Sequence, residues 1–180
     1  MKKIIYLFIA LVVFVNLVTA QNTYTPVVAD SKVHFVIKNF AIKTGGDFSG
    51  LKGTIKFDPD KYAASSFDVT VDAATVDTDN NSRDGHLKKA EYFDVEKYKT
   101  LHFKSTKIVL SSAAGRFYMY GDLTIKGVTK PVEFGFGATA RDGGYVFDGS
   151  FTINRRDFGV GGSSISLSDN LTVSLSVFAK

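Results

Sequence analysis

The 180-residue chain contains no cysteine and no tryptophan, and only three prolines and two methionines. Without cysteine, disulfide staples, thiolate nucleophiles and Cys-ligated metals are excluded, so stability has to come from burial. Without tryptophan, no indole N–H is available to orient a polar ligand in an apolar interior. The three histidines, His34, His86 and His102, form neither H-x-H nor H-E-x-x-H. A zinc site would need carboxylates gathered from separate strands, and no metal or cofactor is expected. Beyond the amino terminus there is no basic run, and Lys and Arg are interspersed with Asp and Glu. Nucleic acid is therefore not an expected partner.

One long apolar run is present. Met1-Lys2-Lys3 precedes Ile4 to Val18, and Val18-Thr19-Ala20 supplies the small residues of a cleavage site. Residues 1–20 read as a signal peptide removed before Gln21, in preference to a retained membrane span. No cysteine follows to carry a lipoprotein anchor. The expected location is periplasmic or secreted, and the formal charge of +4 falls to +2 when Lys2 and Lys3 leave. Residues 21–180 then form one domain, long enough for a real core.

Most of that domain alternates apolar and polar with period two. Val33, Phe35 and Ile37 share a phase. A turn is expected at Gly45-Gly46, followed by a strand through Phe48 and Leu51 to Ile55 and Phe57. Phe67, Val69, Val71 and Ala73 form a third set. Further sets run through Leu101 and Phe103, Leu123 and Ile125, Phe134 and Phe136, Phe147 and Phe151, and Leu171 to Val177. Asp142-Gly143-Gly144 is a hairpin signal. About eight one-faced antiparallel strands suit a sandwich or a closed barrel, and a barrel of that size is either filled or holds one small ligand. Sixteen phenylalanines would give a hydrocarbon lining. Gly121, Gly135 and Gly149 inside strands permit bends or leave room.

The stretch from Thr78 to Thr106 breaks the alternation. Asp79-Asn80-Asn81-Ser82 favours a helix cap, and Leu87, Ala90 and Phe93 recur at a spacing of three. A short helical insert between strands 3 and 4 is expected to cover one end of the β structure. Arg83, Asp84 and His86 could serve as an acid–base group, but neighbours two apart on a helix do not face each other. The structural reading is that Arg83 and Asp84 tie the insert down while His86 caps or lines its edge. Arg155 could meet a lipid phosphate, or it could pair with Asp157 to fix a strand end. His34 and His102 fall on the polar phase, where solvent is the simplest partner.

Four segments carry a resemblance. They are Thr78, Arg83, Asp84, His86 and Leu87 with Phe93-Asp94; Phe103 to Thr106; Gly121 to Val132; and Arg155, Asp157, Phe158 and Gly159. In this order they resemble the YceI-like family of exported bacterial proteins over nearly the whole domain. Lys99 stands where the family commonly has proline. The short Thr139 to Gly144 loop is a second departure, expected to alter the barrel mouth. The resemblance implies an all-β, lipocalin-like barrel with an apolar channel for a polyisoprenoid or similar long-chain lipid, which it would sequester or transport. It implies no enzyme activity, and it leaves a homodimer and transient membrane contact open as further partners. The expected lining is Phe35 and Ile37, Ile55 and Phe57, Val69 and Val71, Phe103, Leu123, Phe134 and Phe136, and Phe147 and Phe151. Two alternatives stand beside it: a lipid-modifying enzyme using Arg83-Asp84-His86, and a filled, stress-protective barrel acting through its surface.

Overall fold

A computed structural model describes residues 22–180, so the expected signal peptide lies outside the described residues. A single antiparallel sheet of ten strands runs in the order β1-β4-β5-β6-β7-β8-β9-β10-β2-β3. The strands are β1 (Thr23–Tyr24), β2 (Lys32–Asn39), β3 (Ile42–Phe48), β4 (Lys52–Lys56) and β5 (Ser66–Asp72). They continue as β6 (Thr100–Leu110), β7 (Arg116–Ile125), β8 (Val128–Arg141), β9 (Gly144–Asn154) and β10 (Leu167–Ala179). The helix α1 spans Asn81–Leu87, between β5 and β6.

The sheet curls into a half-barrel whose ends are tied back to it. β1 pairs with β4, and the next residues turn to β10, where the Val27 N–H donates to the Phe178 carbonyl at 2.8 Å. At the other end β3 reaches the chain after β5 through a two-way Asp47–Asp77 backbone bridge. These ties, with the two-residue β1, shorten the exposed sheet edges that would otherwise template aggregation.

Three expectations are corrected. The strand count is ten, because the β1 pairing and the break at Ser49–Leu51 each add a strand. The insert accordingly lies between the fifth and sixth strands. Gly45 and Gly46 are also not a turn but lie inside β3, opposite Val36 and Phe35. The Phe35 ring crosses over Gly46, where a Cβ would lie 2.5 Å from it, and the His34 ring lies over Gly45 on the other face, 2.9 Å from a Cβ there. The turn is at Phe40–Ala41, both with positive φ (47° and 65°).

The alternating residues do face inward. A bulge between Ser105 and Lys107 changes the phase of β6, so that Phe103 and Ile108 both point into the interior. Gly121 and Gly149 leave room for rings from the adjacent strands: a Cβ would come within 2.5 Å of Phe103 and 3.2 Å of Phe134, respectively.

Candidate functional site

The inward face divides into a solid end and a hollow end. At the solid end Phe57, fully buried, is surrounded by Phe67, Phe117, Phe136, Tyr145 and Phe147 at centroid distances of 5.1–6.4 Å. All five contacts are edge-on, the geometry favoured by ring quadrupoles. This aromatic knot is the floor. Above it lies a cavity of about 630 Å³.

The walls of the cavity are hydrocarbon. Val33, Phe35 and Ile37 of β2 face it, as do Leu171, Val173 and Leu175 of β10. These residues are only half-buried although they lie on the inward phase, because hollow space adjoins them. Phe103, Phe134 and Phe151 make a rib across the opposite wall, with centroid separations of 5.9 and 4.7 Å. The β8–β9 ladder runs only from the hairpin to the Phe136–Gly149 pair, and beyond it the stacked Phe134 and Phe151 rings bridge the two strands.

Polar side chains gather at the mouth. Asn39, Asn80, Ser82, Arg83, His86 and Ser164 border the cavity and are exposed. Asn80 caps α1, its side chain accepting the Arg83 N–H at 3.0 Å. The insert is anchored through Thr78. The buried Asp84 carboxylate accepts from both the Thr78 N–H and its hydroxyl. Arg83 donates from Nε to the Thr78 hydroxyl and from Nη2 to the Thr78 carbonyl, each at 2.7 Å. Since Asp77 is bridged to β3, this network fixes α1 over the cavity. Phe93 follows the helix inward and meets Phe48 edge-on at 5.3 Å.

His86 is not engaged with Asp84. Its Nε2 lies 3.7 Å from Glu91, and its ring packs edge-on against Tyr92 at 5.0 Å. The segment therefore does not bring a base and its orienting carboxylate together. Arg155 is 3% exposed and structural in its contacts. It donates to the Ser168 and Val160 carbonyls at 2.9 Å and to Asp169 at 3.0 Å, stapling the chain between β9 and β10. Asp169, rather than the expected Asp157, is its partner. His34 and His102 also have partners beyond solvent, lying 2.7 Å from Asp47 and 2.8 Å from Asp68. The hydrogen bond from His102, with Lys104 nearby, holds the Asp68 carboxyl below its ordinary range against a smaller desolvation effect.

Of the twelve residues expected to line a channel, eight border the cavity: Phe35, Ile37, Val69, Val71, Phe103, Leu123, Phe134 and Phe151. Ile55, Phe57, Phe136 and Phe147 do not. They share the inward phase but belong to the floor, where they pack in the solid core. Sequence reasoning missed the contribution of β10, whose Leu171, Val173 and Leu175 carried the same alternation, and that of Tyr92 and Phe93 after the helix. The short β8–β9 turn is at the floor end beside Tyr145, so it does not shape the mouth.

The chain that builds this half-barrel, with its apolar cavity and the helix over it, has clear relatives. The YceI-like domain profile matches residues 24–179. The chain belongs to the YceI-like domain family. UPF0312 proteins are similar in sequence: that of Vibrio cholerae O395 is 37% identical over 121 residues, and that of Ectopseudomonas mendocina 38% over 121. Each match covers 64% of this YceI-like chain and 64% or 63% of the relative, so the chain spans slightly under two thirds of the relatives it matches. Among solved structures, Burkholderia cenocepacia BcnA superposes with a TM-score of 0.82 at 27% identity, covering 86% of this chain and 99% of that one. The Campylobacter jejuni YceI protein gives 0.65 at 31% identity, covering 74% and 82%. A polyisoprenoid binding domain from Saccharophagus degradans, implicated in plant cell wall breakdown, gives 0.70 at 16% identity over 89% and 99%. That last likeness shows the shared fold.

Proposed function

We propose that this protein binds a long-chain apolar lipid, of the polyisoprenoid class, with its hydrocarbon part in the cavity and its polar end at the mouth. The observation that carries the reading is the 630 Å³ space, walled by Phe, Leu, Ile and Val above an aromatic floor, with polar side chains at its open end. Such a site suits a flexible hydrocarbon, because apolar burial is non-directional and contributes about 0.8 kcal/mol per CH₂. The polyisoprenoid binding domain of Saccharophagus degradans, which shares the fold, supports this ligand class. Catalysis is not part of the proposal, since Asp84 is committed to Thr78 and His86 faces Glu91 and Tyr92. The hollow interior also weighs against a filled barrel acting through its surface alone.

The amino-terminal sequence supports export, so the proposed setting is the periplasm or outside the cell, and the proposed role is sequestration or transport there. Native mass spectrometry of protein purified without detergent, followed by organic extraction, tests the reading. A stoichiometric long-chain adduct is expected. A clean apo mass that takes up no added isoprenoid would overturn it.

A further inference from the structure

Three large apolar side chains stand in solvent on one edge of the mouth. Phe40 is 75% exposed and Ile42 70%, both at the β2–β3 hairpin, while Ile165 is fully exposed on the adjoining loop. The two segments are joined: the Phe40 N–H donates to the Ser166 carbonyl at 2.8 Å, and Leu167 pairs with Asn39. Their immediate neighbours Asn39, Ser164, Ser166 and Leu167 border the cavity, so the exposed patch is continuous with its entrance.

The backbone makes this exposure costly to maintain. Two successive residues with φ near +50° form a turn that favours Asn-Gly, because a Cβ is disfavoured there. Here the turn carries Phe-Ala, with no side chain suited to it. Lys38 and Lys43 lie directly opposite each other one step back from the tip. Both are exposed, and neither enters an ion pair among the described residues. No acidic residue occurs in Lys38–Lys43 or in the loop from Gly159 to Ser166. An apolar tip backed by unpaired lysines matches the interface of an anionic bilayer, with hydrocarbon beneath a layer of negative headgroups.

We propose that Phe40, Ile42 and Ile165, flanked by Lys38 and Lys43, form a rim that docks the mouth onto an anionic lipid bilayer. Docking does not depend on what fills the cavity. Its consequence, passage of a chain between bilayer and cavity without crossing water, rests on the lipid-binding reading.

The test is co-sedimentation of the purified protein with vesicles of phosphatidylglycerol and phosphatidylethanolamine, compared with phosphatidylcholine alone. The variant combines Phe40→Asn, Ala41→Gly and Ile165→Ser, which installs a favoured turn and touches no cavity-lining side chain. Wild type is expected to pellet with the anionic vesicles. The variant should partition at least about tenfold more weakly while unfolding at the same temperature or higher. Lys38→Gln with Lys43→Gln should reduce binding to anionic vesicles alone. Wild type remaining in the supernatant, or the triple variant pelleting equally, would overturn the proposal. A dimer that becomes a monomer in the variant, without vesicle binding, would overturn it in favour of a second copy of the chain. Farnesol uptake, read by native mass spectrometry, separates the two readings. Vesicle binding without farnesol uptake would sustain docking and count against the lipid cavity.

Discussion

Ile37 and Ile55 offer a controlled comparison, because the same deletion falls on a cavity wall in one case and on the floor in the other. Ile55 is 1% exposed and packed in the core, whereas Ile37 is half-buried beside hollow space. Ile→Ala removes three carbons, about 2.4 kcal/mol of transfer free energy if all were fully buried. At Ile55 a new void adds to that loss, giving an expected cost of about 3–5 kcal/mol. At Ile37 the side chain is already partly in contact with solvent, and its removal enlarges an existing space. The expected cost is about 1 kcal/mol. Urea unfolding at 25 °C, with equal m-values, reads the difference as a shift in midpoint. Lipid uptake should show the opposite order: several-fold weaker in Ile37→Ala, and unchanged in Ile55→Ala protein that remains folded. Equal costs at the two positions would refute the division of the interior into floor and cavity.

Gly121→Ala should destabilise by about 1–3 kcal/mol, since the new Cβ meets both the Phe103 ring and the Lys104 carbonyl, and backbone cannot move aside as a ring can. Thermal unfolding measures it, and a neutral result would mean that β6 and β7 are spaced more widely. Arg155→Lys cannot reproduce the fork that reaches two carbonyls and Asp169, so about 3 kcal/mol should be lost. Hydrogen exchange should then accelerate selectively between Val160 and Asp169. Because the Asp68 pKa is lowered, its pair contributes stability above the ordinary carboxylate range and loses it as pH falls through the lowered value. Asp68→Asn should thus be less stable than wild type at pH 6 by under about 1 kcal/mol, given its exposure, with the gap closing below about pH 4. Unfolding midpoints across that range check the sign.

Alternation made the strands and their inward phase legible, because only one face of a curled sheet meets an apolar interior. It could not report height along the barrel. Phe134 and Phe136 are two residues apart on the same phase, yet one is wall and the other floor. That distinction depends on how many rings converge at a level, and those rings come from strands far apart in sequence. Turn chemistry misled for a related reason. Gly45-Gly46 has the composition of a turn but makes room for the His34 and Phe35 rings on its two faces, while the actual turn at Phe40–Ala41 has no turn residues. The cap at Asn80 was readable, since its hydrogen bond is local. The partners of Arg155 and the histidines were not, since each is set by strand register or by a distant loop.

The aromatic floor also makes the cavity a gauge of length. Its lining on β10 extends from Leu167 to Val177, about 30 Å along the strand and roughly 25 Å along a tilted barrel axis. One bilayer leaflet has a hydrocarbon depth of about 15 Å. A chain that only spans a leaflet would leave the lower part of this well empty, and a much longer one would meet the aromatic floor with the stretch next to its polar end still outside. The rings that hold the fold together would therefore also select among ligands by size.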